Sequence, residues 1–470
     1  MVLLESNFQE IYSYMGDYAI LVIIGYIFYL FFILYLISTY EDIKVSKPIK
    51  LIIIFIFLSL LILLNYLNKD FSDISYEDDF DIYKTNIIFK LLKNTFPLNF
   101  YISVNDLIMQ ENIIKNKVNK DFNFNVTNTK KSNNTNIILV IGESSRRSNW
   151  SLNNYIKKTN PLLIKQKNII NFSNMVSISN ITRSSIPIII TRKNSNDADI
   201  FYFKEPSIIT LFNQAGYETF WLSMQQQYGF FDNTTSIYSK EAKNINFLNN
   251  ADYSTKGKFD STIIEKLNYI MSKKKSKKLI IIHTLGSHQK YSDRYPENYN
   301  YFKPSLNELN IYDPRNPKYK TQSINSYDNS ILYTDYVLNQ IIEVFKKNKD
   351  EESFLLYSSD HGEDLFDNTC NKSGHGNATI YNYEIASFTW YSDLYQKNNP
   401  EKIIWLEKNK NRKINQTSIF PTLVDAASLN ILNDPLNRSL LKNFKNYPRL
   451  VNGGLNFDEA PPQGICKEIQ

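Results

Sequence analysis

Ile137-Ile-Leu-Val-Ile141 is an unbroken apolar run that stops abruptly at Gly142-Glu143. A strand with one wet face alternates apolar and polar residues, whereas a continuous run belongs to a strand covered on both faces. Further strands are predicted over Tyr217 to Leu222, Leu279 to His283 and Ser353 to Ser358. Between them lie helical patterns. Ser207 to Ala215 is stopped by Gly216. Asp260 to Lys273 carries Ile263, Ile264, Leu267, Ile270 and Met271 on one face. Tyr327 to Lys347 turns Ile331, Leu338, Ile342 and Phe345 inward, and Ser418 to Leu429 has Pro421 near its start, where a missing N–H costs little. This alternation predicts an α/β fold, a mostly parallel central sheet with helices on both faces.

The N-terminal part follows different physics. Tyr18 to Ile37 is apolar or aromatic apart from Gly25, and Leu51 to Leu67 is interrupted only by Ser59 and Asn65. At 1.5 Å per residue the first run spans a bilayer core and the second is near the minimum length. A secretory leader would need a basic start and a small-residue cleavage site, and both are missing. The expected organisation is a transmembrane hairpin over residues 1–67 (helices at 18–37 and 51–67), a connector over 68–130, and a catalytic domain over 131–470. Lys44, Lys47 and Lys50 lie between the two spans, whereas Asp70, Asp73, Glu77, Asp78, Asp79 and Asp81 follow the second. The positive-inside rule puts the loop in the cytoplasm and everything after residue 68 on the far side, the periplasm of a bacterium. In the connector, Ile87, Ile88, Leu91 and Leu92 form a stripe flanked by Lys84, Lys90 and Lys93. It either lies on the membrane surface or packs on the domain.

A net charge of +6 is too mild, and too diffuse, to argue for nucleic acid. The basic run Lys273 to Lys278 reads as a solvated loop. No obligate protein partner is evident. Cys370 and Cys466 are the only cysteines, too few for a disulfide framework. A single bridge between them needs an oxidising compartment, and the sequence leaves its existence open.

In a doubly covered sheet, ligands bind beyond the carboxyl ends of the strands. Three of those ends carry candidate chemistry: Glu143 followed by Arg146 and Arg147; His283 followed by His288; and Asp360-His361. A hydroxyl-rich turn, Asn180-Ile-Thr-Arg-Ser-Ser-Ile-Pro187, lies between the first two. The chain has only four histidines, and all fall near strand ends or glycine turns. Read singly, Glu143 charges a helix N-terminus, Thr182 or Ser185 caps a helix, and His283 packs within its strand. Read together, carboxylates and imidazoles converge on one sheet edge, a donor mixture that suits Zn²⁺.

Leu139-Val-Ile-Gly-Glu-Ser-Ser-Arg-Arg147, Ser151-Leu-Asn-Asn-Tyr155, Thr159-Asn-Pro-Leu-Leu163, Thr182 with Pro187, Phe220-Trp-Leu-Ser223, His283-Thr-Leu-Gly-Ser-His288, Tyr327 to Tyr336 and Ser359-Asp-His-Gly-Glu363 occur in this order. The set resembles the phosphoethanolamine transferases, membrane-anchored members of the alkaline phosphatase/sulfatase superfamily. The resemblance implies a bacterial inner-membrane enzyme that uses one Zn²⁺, with a second left open. Glu143, Thr182, Asp360 and His361 would be metal ligands, and Thr182 also the nucleophile. His288 and His375 would line the substrate side or hold the second metal. Arg146, Arg147, Arg183 and Lys240 are candidate phosphate contacts. The implied donor is phosphatidylethanolamine, and the implied acceptor a lipopolysaccharide or lipooligosaccharide (lipid A or core). Many lipid A-modifying members have five spans and cysteines around the nucleophile turn. Two spans and no cysteine near Thr182 leave the acceptor open. The rivals are a phosphoglycerol transferase, a sulfatase-like hydrolase and an inactive anchored binding module. Ser185-Ile-Pro187 begins the sulfatase pattern, but Ile189 stands where that chemistry needs Arg.

Overall fold

The computed structural model describes residues 122–129, 134–194, 205–225, 234–249, 257–273, 276–309, 315–432, 436–451 and 453–469. Both expected spans and residues 68–121 of the connector lie outside the described residues. Among the described residues no helix is long and apolar enough to cross a membrane.

In chain order, the elements that build the domain are β1 (Thr135–Gly142), β2 (Ile169–Asn171), α1 (Thr182–Ile190), α2 (Ile208–Gln214), β3 (Glu218–Ser223) and β4 (Asn244–Phe247). They continue with α3 (Thr262–Ser272), β5 (Lys278–His283), α4 (Lys320–Lys346), β6 (Glu352–Ser359), β7 (Ser387–Tyr391), α5 (Pro400–Asn409) and α6 (Ile419–Ala426). The seven strands form one sheet in the order β2-β7-β6-β1-β5-β3-β4. Neighbouring strands from β6 to β4 pair in parallel, while β7 runs antiparallel to both β6 and β2. One strand of seven is therefore reversed, and the sheet is mixed but mostly parallel.

The continuous apolar runs split between the two faces. Ile137, Leu139, Ile141, Leu279, Ile281, Phe354 and Leu356 pack with α1, α2, α5 and α6. Their alternates Ile138, Val140, Ile280, Ile282, Leu355 and Tyr357 pack with α3 and α4 on the other face. All five residues from Ile137 to Ile141 are fully buried, each worth about 1.5–3 kcal/mol. Both faces are dry, as the runs require.

Three local differences from the sequence reading have clear causes. Residues 122–129 belong to the domain rather than to a free connector. Phe124 is buried in the core, its N–H is accepted by Gln214 Oε1 at 2.9 Å, and Thr127–Asn128 pairs with Leu429–Asn430. Helix α4 starts seven residues before Tyr327. Its first turns are polar, and they are held by partners distant in sequence, such as Ser326 Oγ accepting the Leu306 N–H at 2.8 Å. Neither Thr182 nor Ser185 caps α1: Thr182 is its first residue, and Ile181 takes the cap position with extended backbone and no side-chain bond.

Candidate metal centre and active site

The strand registers bring four strand ends level. Ile141 lies opposite Ser358 on β6 and His283 on β5, and His283 lies opposite Ser223 on β3. The residues just past these ends, Glu143, Asp360 with His361, Thr284 and Gln225, therefore crowd together at one edge. Helix α1 presents Thr182 to the same point. Thr182 Oγ1 lies 3.2 Å from Glu143 Oε2 and 3.1 Å from His361 Nε2. His361 Nε2 is 3.4 Å from Glu143 Oε1 and 3.3 Å from Asp360 Oδ2. Glu143, Asp360 and His361 are buried, and each offers one ligand atom within 4.8 Å of the others.

Each donor is aimed by a specific bond. His361 Nδ1 lies 2.9 Å from the Gly362 carbonyl, which fixes the proton on Nδ1 and leaves the Nε2 lone pair facing the cluster. Asp360 Oδ1 accepts the Ser144 and His361 N–H groups at 3.1 and 2.7 Å. Its buried Oδ2 has no hydrogen-bond partner among the described residues. Ser144 is held at φ +54°, a conformation that a side chain tolerates poorly, and its Oγ donates to Glu143 Oε1 at 2.9 Å. Its backbone is pinned by Tyr327, whose hydroxyl donates to the Ser144 carbonyl at 2.6 Å.

Two buried carboxylates this close repel unless a cation lies between them. Burial and the neighbouring Glu143 charge push Asp360 up to about 7. Burial alone would lower His361, but with no cation between them Asp360 and Glu143 outweigh it and pull the imidazole up to about 10; a bound cation would take the place of the Nε2 proton and leave that lone pair as a donor. Burial likewise works to raise Glu143, but the hydrogen bond and charge of His361 hold it well below the usual carboxylate range. The cluster demands positive charge at its centre. Two carboxylate oxygens, one of them Asp360 Oδ2, with one imidazole nitrogen and a hydroxyl, fit a Zn²⁺ ion.

A second layer flanks this cluster. The His375 ring lies 4.5 Å from that of His361 and 5.6 Å from that of His288, centroid to centroid. His375 Nδ1 is 3.2 Å from Glu363 Oε2, and Glu363 Oε1 accepts the Tyr291 hydroxyl at 2.6 Å. His361, Glu363 and His375 form a second group with metal-ligand spacing. Burial pushes His288 down to about 4. The loop carrying His288 is clamped by buried Asp260, whose two oxygens accept the Leu285 and Gly286 N–H groups at 2.9 Å each. Gly286, at φ +50°, passes so close to Glu143 that a Cβ would sit 2.7 Å from its carbonyl oxygen.

The structure thus brings Glu143, Thr182, Asp360, His361, His288 and His375 together. The other candidates are placed differently. Arg146 is buried, donating to Asn149 Oδ1, the Glu363 carbonyl and Asp367 Oδ2. Arg147 donates to the Ser173 carbonyl at 2.8 Å and pairs with Glu384. Both guanidiniums hold protein groups rather than facing Thr182. Arg183 is the second residue of α1, half-buried beside Thr182, and Lys240 is exposed ahead of edge strand β4. His283 is buried against Trp221, as a packing residue would be.

Glu363, Ser144 and Gln225 received no role from the sequence. Glu363 closes a quoted motif, and Gln225 is the second residue past β3. The strand-end rule that found Glu143 and Asp360 would have flagged both.

A family model described as Sulfatase matches residues 135–429, more than half of the chain. The chain belongs to the sulfatase family. Its relatives include phosphoethanolamine transferase EptC of Escherichia coli K12, 29% identical over 339 residues, covering 69% of this chain and 57% of that one. Phosphoethanolamine transferase EptA of Escherichia coli K12 is 29% identical over 315 residues, covering 63% and 53%. The chain thus spans little more than half the length of these curated relatives. Among solved structures, the C-terminal periplasmic domain of EcEptC from Escherichia coli in complex with Zn superposes at TM-score 0.65 with 28% identity, covering 74% of this chain and 98% of that one. The integral membrane lipooligosaccharide phosphoethanolamine transferase A (EptA) from Neisseria meningitidis, at TM-score 0.60 and 22% identity, covers 79% and 68% and shares the fold. This member of the sulfatase family carries its candidate donors at the strand ends where open α/β folds bind ligands.

Proposed function

We propose that the chain is a zinc-dependent phosphoethanolamine transferase. It would take phosphoethanolamine from phosphatidylethanolamine and give it to a lipopolysaccharide or lipooligosaccharide acceptor, lipid A or core, by double displacement through phosphothreonine. The observation that carries this reading is the position of Thr182 Oγ1 at the first turn of α1, 3.2 Å from Glu143 Oε2 and 3.1 Å from His361 Nε2. Similarity to named phosphoethanolamine transferases over 69% of the chain supports the reaction class. In this reading residues 1–67 anchor the chain in the bacterial inner membrane, 68–130 connect, and the remainder acts in the periplasm. The Cys370–Cys466 disulfide suits that compartment.

Glu143, Asp360, His361 and the Thr182 oxygen would hold the zinc. When bound, zinc makes the threonine hydroxyl alkoxide-like near neutral pH and offsets charge on the phosphoryl oxygens. Thr182 Oγ1 attacks phosphorus, the P–O bond to diacylglycerol breaks, and the diacylglycerol oxygen takes up a proton. An acceptor hydroxyl or phosphate oxygen then attacks the same phosphorus and Thr182 leaves. The N-terminus of α1 sits at the reacting oxygen, where the helix dipole favours negative charge. His375, held through Nδ1 by Glu363, and His288 line the substrate side.

The test is mass spectrometry of cellular glycolipids with wild type and Thr182→Ala, with labelled phosphatidylethanolamine or phosphatidylglycerol as donor. Wild type should move the ethanolamine head group, and the variant should move none while keeping part of its zinc. Transfer by Thr182→Ala would refute the nucleophile. Movement of phosphoglycerol instead would shift the assignment to a phosphoglycerol transferase. Sulfatase chemistry is disfavoured because buried Ile189 occupies the position where it needs Arg.

A further inference from the structure

We propose that Gln225 is a positioning residue for the metal centre: it fixes the Glu143 carboxylate in its ligating orientation without neutralising it. The inference rests on the zinc reading above and concerns a residue outside the motif set. Gln225 is 5% exposed and lies just past the end of β3. Its Nε2 donates to Glu143 Oε2 at 3.3 Å and to the Thr284 carbonyl at 3.1 Å. Two acceptors on that side settle which end of the amide is nitrogen.

The mount of Gln225 is rigid. Ser223 Oγ accepts its backbone N–H at 3.0 Å, and the preceding Met224 N–H donates to the His283 carbonyl at 2.8 Å. Thr284 is itself tied to β1 through its N–H and Oγ1, both on the Ile141 carbonyl. On the opposite oxygen, Ser144 Oγ donates to Glu143 Oε1 at 2.9 Å. Two neutral donors thus grip the carboxylate from two separate strand ends. Rotation of the carboxylate plane would break both bonds.

The chemical type of the donor matters as much as its position. A lysine or arginine at 225 would also hold Oε2, but would bring its own positive charge into a buried cluster of two carboxylates. That charge would compete with the metal. A neutral amide supplies direction and leaves the full negative charge of Glu143 for the cation. Partners of this kind commonly set metal affinity by 10- to 100-fold.

The experiment uses the full chain purified in detergent, with wild type, Gln225→Met (similar length, no donor) and Gln225→Lys (donor with charge). Zinc affinity is read by competition with a chromophoric chelator, ligand geometry by the visible spectrum of the cobalt(II)-substituted protein, and transfer by kcat and KM for phosphatidylethanolamine. Gln225→Met should bind zinc at least about tenfold more weakly, alter the cobalt spectrum, and lower kcat with KM within twofold. Gln225→Lys should lose at least as much zinc affinity. Zinc affinity within twofold of wild type in Gln225→Met, with an unchanged cobalt spectrum, would overturn the inference. Melting of the chelator-stripped proteins checks folding, and if Gln225→Met does not fold, Gln225→Lys carries the same comparison. A wild type that binds no zinc would fail the metal reading itself. A wild type that binds zinc, with variants that bind it equally, would fail only the role of Gln225.

Discussion

Cutting the Cys370–Cys466 bridge offers a perturbation whose size follows from the structure. The disulfide joins residues 96 apart, linking the loop that leads to His375 to the C-terminal tail. A cross-link of that span removes loop-closure entropy from the unfolded chain worth about 4.7 kcal/mol in the chain-entropy description. The folded side changes little, because the tail has other ties. Lys372 pairs with Glu468, the Ile380 N–H donates to the Lys467 carbonyl at 3.1 Å, and the Ile469 N–H donates to the Ala378 carbonyl at 2.7 Å. The double variant Cys370→Ser/Cys466→Ser should therefore fold the same way and lose about 2–5 kcal/mol, a large share of a domain's stability. Urea unfolding followed by tryptophan fluorescence reads this directly, since Trp150, Trp221 and Trp390 are all buried. Wild type in excess dithiothreitol should move toward the variant. Zinc affinity should stay within a few-fold, because Glu143, Thr182, Asp360 and His361 all lie outside the closed loop. A loss under about 1 kcal/mol, or two titratable thiols in the native oxidised protein, would refute the reasoning.

Two other outcomes are expected besides those given with the proposals. Gly286→Ala would strain a backbone at φ +50° and drive a Cβ to 2.7 Å from the Glu143 carbonyl oxygen; displacing that candidate ligand should cost on the order of 100-fold in transfer rate, and activity within about threefold of wild type would contradict the tight fit of this loop. Buried Asp335 accepts the Leu162 and Leu163 N–H groups, and burial pushes it up to about 7. Because its folded pKa lies above the unfolded value, its contribution is complete below about pH 4 and is lost as pH rises to about 7, up to roughly 4 kcal/mol. Melting temperatures of wild type and Asp335→Asn between pH 4.5 and 7.5 should diverge across that window, and parallel curves would contradict the linkage.

Long, strongly patterned elements were legible in the sequence because their cause is local. Unbroken apolar runs specify strands dry on both faces, and β1, β5 and β6 fall where those runs lie. The strands that escaped notice, β2, β4 and β7, are short or alternate polar with apolar residues, such as Ser387-Phe-Thr-Trp-Tyr391. Their strand character, and the reversal of β7, come from the neighbours they pair with.

The site divides in the same way. Carboxylates and imidazoles at predicted strand ends marked Glu143, Asp360, His361 and His288 as candidate donors, and the family resemblance added Thr182 and His375. What the other side chains do depends on partners hundreds of residues away. Arg146 and Arg147 sit close to the candidate ligand Glu143 in sequence, yet Asp367 and Glu384 claim them. Gln225 could be flagged in the sequence only as a residue past a strand end; that it reaches Glu143 follows from β3 lying beside β5 and ending level with β1. By itself the sequence determined which chemical groups the chain can offer and that a doubly covered sheet would carry them. Strand order and register, with the docking of α1 against the sheet, decided which of those groups meet, because distances of about 3 Å between side chains are set by the packing of the whole domain rather than by any stretch of it.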